Sequence, residues 1–335
     1  MRNWLMGWGI VICALLSAVS SFAADDRPEI QLSLERTLVQ QGGLLLRPGQ
    51  LEVEPSFEYS FFSTRRIEVS GFSVLPTLVI GVIETNKVQR NILEPSVTFR
   101  LGVVRDVQAE VRVPYRFAFD RVSTQTTETT TEDNGIGDVE AAVFYQPLKE
   151  QGWIPDLIVG VRGKSTTGKD PFGLQSNEIP TGTGFYSVTG TVTAVKSSDP
   201  AVIFGGLLYT YNIGRTVQVA STDTFMTKIY PGYSVGYNIG LGLAISIDLA
   251  FNMRFEQRFV SGTDTEALVA GAVRSAVPGS TLTVASVFFG ITWAITQNMS
   301  ADFSAGIGLT EDSPDATVRV AFPIRFSDVF SWLKT

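Results

Sequence analysis

Residues 107–120 read VQAEVRVPYRFAFD. Apolar side chains occupy every odd position of this stretch, and polar side chains occupy most even positions, among them Glu110, Arg112 and Arg116. A period of two indicates a β-strand with one apolar and one polar face. Strands of soluble sheets are usually about 3–10 residues long. A strand of this length favours a membrane barrel, in which about 9–11 residues cross the lipid and the rest extends into water.

The same alternation recurs along the chain, for example at 51–61 and at 241–258. Polar breaks separate these stretches, and they alternate between short and long, as the turns and outer loops of transmembrane barrels do. The short turns are expected at Arg105-Asp106, Lys149 to Trp153, Ser197 to Pro200, Asn238 to Gly240 and Gln297-Asn298, and the long connections at 122–136, 168–183, 215–228, 260–281 and 311–315.

The strand count depends on residues 50–89. Ser63 to Arg66 could form a hairpin, but the odd-numbered apolar phase continues through it to Ile67 and Val69, and it contains no glycine or asparagine for a two-residue turn. The stretch in question is Gln50 to about Gly71. We therefore interpret this stretch as one long strand and residues 72–89 as its outer connection, although 74–83 is apolar enough to pair in its own right. This interpretation gives twelve strands, and bacterial barrels have an even number.

The sequence thus predicts an all-β protein, a transmembrane antiparallel up-and-down β-barrel of about twelve strands over residues 50–326, with a short N-terminal helix ahead of it. Residues 1–23 are typical of a secretory signal peptide, with Arg2, an apolar centre at 10–16 and a small-x-small site ending at Ala23. An exported barrel with an even strand number is expected in the outer membrane of a Gram-negative-type bacterium, surrounded by its lipid and with both termini in the periplasm.

For the segments before and after the barrel, the sequence is compatible with more than one structure. In the segment 24–49, Ile30, Leu34 and Leu38 recur at helical spacing, and the helix is expected to be either a periplasmic tether or a plug in the pore. Residues 327–335 form a tail after the last strand, which is expected to end at Phe326; an interfacial helix or strap is the plainer interpretation.

The polar residues of the alternating strands are expected to face the lumen, since the apolar ones face lipid. Charges enclosed in a lumen must pair or meet water, so they are either ion pairs that keep the wall rigid or a lining that selects solutes or holds a plug. The predicted lumen-lining residues are Glu52, Glu54, Glu58, Glu68, Glu94, Arg100, Glu110, Arg112, Arg116, Asp156, Arg162, Lys164, Asp248, Arg254, Glu256, Arg258, Arg319 and Arg325.

The composition argues against catalysis and against bound cofactors. The chain has no histidine, the usual general base, and its one cysteine, Cys13, lies in the signal, so no catalytic residue, metal site or cofactor is predicted. A formal net charge of −7 argues against binding to nucleic acid. The motif Gly135 to Asp138 is not a nucleotide loop, because an alternating strand and not a helix follows it.

Several spaced motifs resemble known families. GIGD at 135–138, GWIPD at 152–156, KSTTGKDPF at 164–172 and TGTGF at 181–185 resemble the transporter family of the MetA pathway of phenol degradation. More narrowly, LERTLV at 34–39, GGLLL at 42–46, LEVEP at 51–55 and TAVKS at 193–197 are similar to the secretion barrels of functional-amyloid (Fap) systems. The second resemblance implies a twelve-stranded barrel, a helical plug ahead of the first strand and export of unfolded amyloid subunits.

Three functions follow as hypotheses. The first is a channel gated by the N-terminal helix that passes a polypeptide, such as an amyloid subunit, or a large polar solute. The second is a passive channel for small, in particular aromatic, molecules. The third is a non-conducting structural or adhesive barrel whose long loops, including the threonine-rich 123–131, bind outside partners. The sequence leaves open whether the protein forms a homo-oligomer.

Overall fold

A computed structural model describes residues 44–74, 78–123, 128–172, 174, 178–198, 200–218, 226–268 and 273–327, with the backbone alone at 64–74, 78–88, 122 and 123. This part of the chain is built from strands, and it contains no helix long and apolar enough to cross a membrane. The strands are β1 (Leu51–Val74), β2 (Leu78–Val104), β3 (Val107–Ser123), β4 (Glu128–Ile136), β5 (Glu140–Leu148), β6 (Asp156–Lys164), β7 (Ser187–Ser198), β8 (Ala201–Asn212), β9 (Arg215–Gln218), β10 (Met226–Tyr230), β11 (Ser234–Ala244), β12 (Leu249–Val260), β13 (Asp264–Ala267), β14 (Ser275–Ala276), β15 (Leu282–Ala294), β16 (Ser300–Gly308), β17 (Ala316–Ala321) and β18 (Ile324–Phe326).

Fourteen of these strands form one antiparallel sheet that closes on itself. β4 and β5 pair with successive parts of β3, and β17 and β18 pair with successive parts of β1. Each of these two pairs of strands therefore occupies a single strand position of the barrel, and such a position is called a stave here. The sheet therefore closes as a barrel of twelve staves, and each stave pairs with the next one along the chain. This confirms the predicted up-and-down barrel of about twelve strands.

The two ends of the barrel differ. One end, here called the turn end, carries the short connections at 105–106, 149–155, 199–200, 245–248 and 295–299. The other, the loop end, carries the long ones, and there β9, β10, β13 and β14 form a second, four-stranded sheet. At the first short turn Asp106 takes a positive φ of 64°, which aspartate tolerates better than most residues.

The polarity of the barrel is that of a membrane protein. On β1 the inward carboxylates Glu52 and Glu54 are fully buried, whereas the outward Phe57 is 52% exposed. The outer surface of the other staves is likewise apolar, as Phe303 on β16 and Val318 on β17 illustrate. A soluble protein would hide these side chains and expose the carboxylates, so the outer surface is made for lipid.

One predicted turn is wrong. Asn238 to Gly240 does not turn, because β11 continues to Ala244 and the reversal falls at 245–248. There the backbone amides of Ile245 and Ser246 both donate to the carbonyl of Leu249. The odd positions are apolar on both sides of this turn and inside it, so the alternation does not reveal where one strand ends and the next begins.

Strands also extend into segments that we predicted to be loops. β2 begins at Leu78, so most of the expected connection 72–89 is a hairpin in which Val74 pairs with Leu78. Residues 128–136 of the expected loop 122–136 form β4, whose threonines have side chains that suit strands. The predicted signal, the helix with Ile30, Leu34 and Leu38, and the tail beyond Ser327 lie outside the described residues.

Candidate functional site: the lumen of the barrel

A network of ion pairs covers the inner wall between β18 and β6, and its centre is Arg100 on β2. The guanidinium of Arg100 donates to Glu52 at 2.8 Å, to Glu54 at 2.5 Å and to Glu110 at 3.0 Å. Glu52 and Glu54 come from β1 and Glu110 from β3, so one arginine joins three neighbouring strands. All four side chains are buried.

The network continues on both sides of this centre. Towards the last stave, Arg325 donates to Glu52 at 2.8 Å and Arg319 donates to Glu54. In the other direction, Arg162 on β6 donates to Glu110 at 2.7 Å and to Glu140 on β5 at 2.9 Å. Positive and negative groups thus alternate around half of the barrel.

A second cluster lies nearer the loop end. Glu94 accepts hydrogen bonds from Arg112 at 2.8 Å and from Arg116 at 3.0 Å. Arg116 also donates to the carbonyl of Thr181 at 3.1 Å, in the long connection between β6 and β7. The cluster therefore joins the wall of the barrel to a loop that covers its loop end.

The remaining predicted lumen residues lie elsewhere. Asp156 accepts from Gln146 and from the amide of Glu150 at the turn end. Asp248 is exposed in the 245–248 turn, where the strand alternation no longer fixes its direction, so its place in the lumen stays a prediction. Glu68 is described through its backbone alone. The others, Glu58, Lys164, Arg254, Glu256 and Arg258, line the cavities described below.

The opposite wall, from β7 to β16, is largely uncharged over β7, β8 and β11, whereas β12 carries Arg254, Glu256 and Arg258 and β16 carries Asp302. Thr189 and Thr210 share a hydrogen bond of 2.9 Å there. Glycines on this wall make room for inward phenylalanines of the neighbouring strand: a side-chain carbon on Gly240 would overlap the ring of Phe204, and one on Gly306 would overlap that of Phe288. These rings therefore lie against the wall and do not fill the lumen.

Two cavities remain inside the barrel. The first has a volume of about 410 Å³ and contains the ring of Phe288, the guanidinium of Arg254 4.9 Å from the ring centroid, and the carboxyl group of Asp302. The second, of about 510 Å³, lies between the hydroxyl-rich strand β7 and the loop end. The two adjoin at Leu208, Arg258 and Val260, which line both.

The long connection at 165–186 folds over the loop end and is held there by Asp138. One carboxylate oxygen of Asp138 accepts from the amide of Gly168 at 3.1 Å, and the other accepts from the amide and the hydroxyl of Thr183, both at 2.7 Å. The glycine is required, since a side-chain carbon at Gly168 would overlap the backbone of Gly182. Asp138 therefore fixes both described ends of this connection, and Thr183 and Phe185 from it line the second cavity.

The residues before β1 cross the turn end of the lumen. The amide of Gly49 donates to the carbonyl of Gly102 at 2.8 Å, and the amide of Leu46 donates to the side chain of Gln108 at 3.0 Å. At its other end this strap, residues 44–50, packs Leu44 against a buried cluster on β7 and β8 that includes Phe204. The strap therefore runs from the charged wall to the uncharged wall.

At the turn end, an ion pair joins the turn between β5 and β6 to the end of β7. Glu150 accepts from the amino group of Lys196 and from the amide of Ser197 at 3.1 Å. Partial burial tends to raise the pKa of Glu150, but these hydrogen bonds outweigh it, so that the pKa is lower than usual. The structure places no group of three or more metal-ligating side chains among the residues that it describes.

Sequence reasoning missed several of these residues. Glu140 lies in the polar phase of its strand and could have been included. The pairing of Phe288 with Gly306 depends on the register between β15 and β16, which the sequence does not show. The contact of Leu44 with β7 and β8 depends on the path of the chain across the barrel.

A solved structure has this architecture, and others are less similar. The COG4313 outer membrane channel from Pseudomonas putida F1 superposes with a TM-score of 0.57 at 12% sequence identity, covering 84% of this chain and 97% of that one, and it has the same fold. The transport unit of the autotransporter AIDA-I from Escherichia coli reaches a TM-score of 0.46 at 11% identity over 90% of this chain and 100% of that chain. The CymD monoaromatic hydrocarbon channel reaches 0.40 at 9% identity over 91% and 94%. The TM-scores of these last two structures are too low to identify a common fold.

The family assignment comes from the sequence. A family model described as "Putative MetA-pathway of phenol degradation" matches residues 81–326, well over half of the chain. The match contains all the motifs between Gly135 and Phe185 that resembled this family, and it extends from the second strand of the barrel to the last. The chain belongs to the MetA-pathway phenol-degradation family and has the fold of an outer-membrane β-barrel channel.

Proposed function

We propose that this protein is an outer-membrane channel for small aromatic molecules that carry polar groups. The observation that carries the proposal is the first cavity, where the ring of Phe288 lies against Gly306 and the guanidinium of Arg254 lies over that ring, 4.9 Å from its centroid. The planar guanidinium on the wall of a polar passage offers a solute ring a stacking surface, and the charged groups around it bind the polar substituent.

The dimensions of the lumen favour a small solute. Cavities of about 410 and 510 Å³ lie within the range of roughly 300–1,000 Å³ that is usual for small-molecule sites. A polypeptide would have to displace the 165–186 loop, which Asp138 holds through three hydrogen bonds. The family description, which refers to phenol degradation, supports the second of our hypotheses over polypeptide export. The likeness to functional-amyloid barrels stays a prediction.

The location and orientation are part of the proposal. Leu51 at the start of β1 pairs with Phe326 at the end of β18, so the barrel begins and ends at the turn end. In a barrel with short periplasmic turns this arrangement puts both termini in the periplasm. A signal peptide at 1–23 would direct the chain there, and the apolar outer surface would then contact the lipid of the outer membrane.

We also propose that the segment 24–49 gates the channel at the turn end. The strap supports this proposal, because Leu46 and Leu44 bind opposite walls of the lumen. The predicted helix with Ile30, Leu34 and Leu38 would precede the strap and lie in or under the opening. We assign no catalytic step to the chain, since no described cluster combines a nucleophile with a base.

The test is a planar-bilayer recording of the purified protein with phenol as the probe. We expect discrete conductance steps that phenol reduces, and a weaker effect of phenol on Phe288→Ala. A matched control is Phe289→Ala, which changes the neighbouring outward residue. No conductance in any variant would contradict the channel and favour the adhesive barrel, whereas block by an unfolded polypeptide and not by phenol would favour secretion.

Deletion of residues 29–41 tests the proposed gate. It should raise conductance, and unchanged conductance would rule out the plug.

A further inference from the structure

Arg258 differs from the other inward arginines. Arg100, Arg112, Arg116, Arg162, Arg319 and Arg325 each contact a glutamate of a neighbouring strand. Arg258 forms no ion pair or hydrogen bond within the part of the chain that the structure describes. Its register partners explain this, since they are Gly236 on β11 and Val284 on β15, neither of which has a polar side chain.

The position of Arg258 in the lumen is central. It lines both cavities, so a solute that moves from one to the other passes its guanidinium. Its side chain is exposed to the lumen, unlike that of Arg100, which is buried among glutamates. An arginine that stays hydrated and lacks a protein carboxylate can bind a carboxylate from a ligand through two parallel hydrogen bonds.

The surroundings on the side of the second cavity favour an anion. Among the described residues that line it, the carboxylate is that of Glu140, which is already bound to Arg162 at 2.9 Å. The amino group of Lys164 lines the same cavity, 2.6 Å from the hydroxyl of Thr183 and 3.8 Å from the carboxylate of Asp138. On the side of the first cavity, Glu256 lies two residues from Arg258 and 3.4 Å from Arg254. A bound carboxylate is therefore expected on the side that faces away from Glu256.

The same level of the barrel provides an apolar slot. Gly236 pairs with Leu208 on one side and with Arg258 on the other, so no side chain separates these two residues. Leu208 leans over the glycine, 3.1 Å from the place that a side-chain carbon would occupy. Leu208 and Val260 line both cavities together with Arg258, so they offer an apolar surface to the ring of a ligand whose substituent binds the guanidinium.

From these contacts we infer that Arg258 is the centre of a binding site for the carboxylate of a small aromatic acid. The inference rests on the proposed function, which gives an aromatic solute. It adds that the polar group of this solute is a negatively charged carboxylate. Benzoate represents this class, and benzyl alcohol is its neutral counterpart of similar shape.

The site can be tested by calorimetric titration of the purified full-length protein in detergent micelles. We expect benzoate to bind more tightly than benzyl alcohol. Arg258→Gln should weaken benzoate binding by about tenfold, as expected when one charged hydrogen-bonding partner is removed, and Arg258→Lys should restore part of it. The control is Arg274→Gln, which changes an arginine that is paired with Asp264 in the loop-end sheet.

Equal binding of benzoate to the wild type and to Arg258→Gln would overturn the inference, as would equal affinity for benzoate and benzyl alcohol. Heat-modifiable migration in gels shows whether the variant barrel is folded. The titration does not need conduction, so it separates the two proposals. If the wild type conducts but does not bind benzoate, the acid-binding site is excluded and the channel is not. If the wild type does not conduct, the channel is excluded, and the titration still shows whether the acid-binding site exists.

Discussion

Arg100 and Glu52 are direct register partners on β2 and β1, and their side chains meet at 2.8 Å inside the barrel. Both are buried, yet each has a further partner, since Arg100 also binds Glu54 and Glu110 while Glu52 also binds Arg325. A buried charge of this kind is tolerated because several opposite charges share it. The pair therefore belongs to a continuous wall and is not an isolated contact.

The first prediction concerns this wall. Arg100→Ala should lower the free energy of unfolding by roughly 3–5 kcal/mol, because it leaves three buried carboxylates without their common partner. Urea titration of the folded protein in detergent, followed by gel migration, measures the loss. Arg121→Ala is the matched control, since Arg121 forms an exposed pair with Glu128 that is worth at most about 1 kcal/mol. Equal losses in the two variants would contradict the network.

The second prediction concerns the loop end. Asp138→Ala should release the 165–186 loop, because it removes the three hydrogen bonds to Gly168 and Thr183. We expect a higher single-channel conductance with more frequent fluctuations. Asp312→Ala is the control, as Asp312 accepts a hydrogen bond from Thr283 in a different connection. If both variants conduct like the wild type, the 165–186 loop does not limit the passage.

The third prediction concerns the turn end. Leu44→Glu should detach the strap, because a carboxylate cannot be placed against Val195, Val202 and Phe204 without a partner. Conductance should rise. The control Arg47→Glu also adds negative charge to the strap, but its side chain is exposed. Should the two variants open the channel equally, the contact of Leu44 would not be what closes it.

The fourth prediction concerns pH. The lowered pKa of Glu150 means that its pair with Lys196 contributes its full stabilisation above the ordinary glutamate value of 4.5, and that this contribution declines as the pH falls from 4.5 through the lower pKa of the folded state. Glu150→Gln should therefore reduce the melting temperature slightly at pH 7 and reduce it less near pH 3. Thermal melts of the wild type and the variant at both values measure the effect. An equal reduction at both values would mean that charge is not its cause.

The barrel itself could be predicted because lipid imposes a strict alternation, which Val107 to Asp120 shows in full. The same rule predicts that most of the charged residues lie inside. It failed at the predicted turn Asn238 to Gly240, since the apolar phase is the same before, within and after the actual turn at 245–248. Alternation determines the face of a residue but not the end of a strand.

The details of the lumen needed more than alternation. That Arg258 lies beside Gly236 and Val284, and not beside a glutamate, is a property of register, which depends on where the turns fall. The position of Leu44 depends on a strap that carries no alternating pattern. Asp138, by contrast, belongs to a motif that the sequence already singled out, although its bonds to Gly168 and Thr183 span about thirty and forty-five positions of the chain.

The joint between β1 and β17 has a consequence for how the protein is made. Glu54 on the first strand and Arg319 near the last meet only when the final stave has arrived. Until β17 pairs with it, the first strand has an open edge with unmatched backbone groups and carboxylates, which is a target for wrong pairing. A chain truncated before residue 316 would keep most of its staves but should stay an open sheet, prone to aggregation and dependent on chaperones.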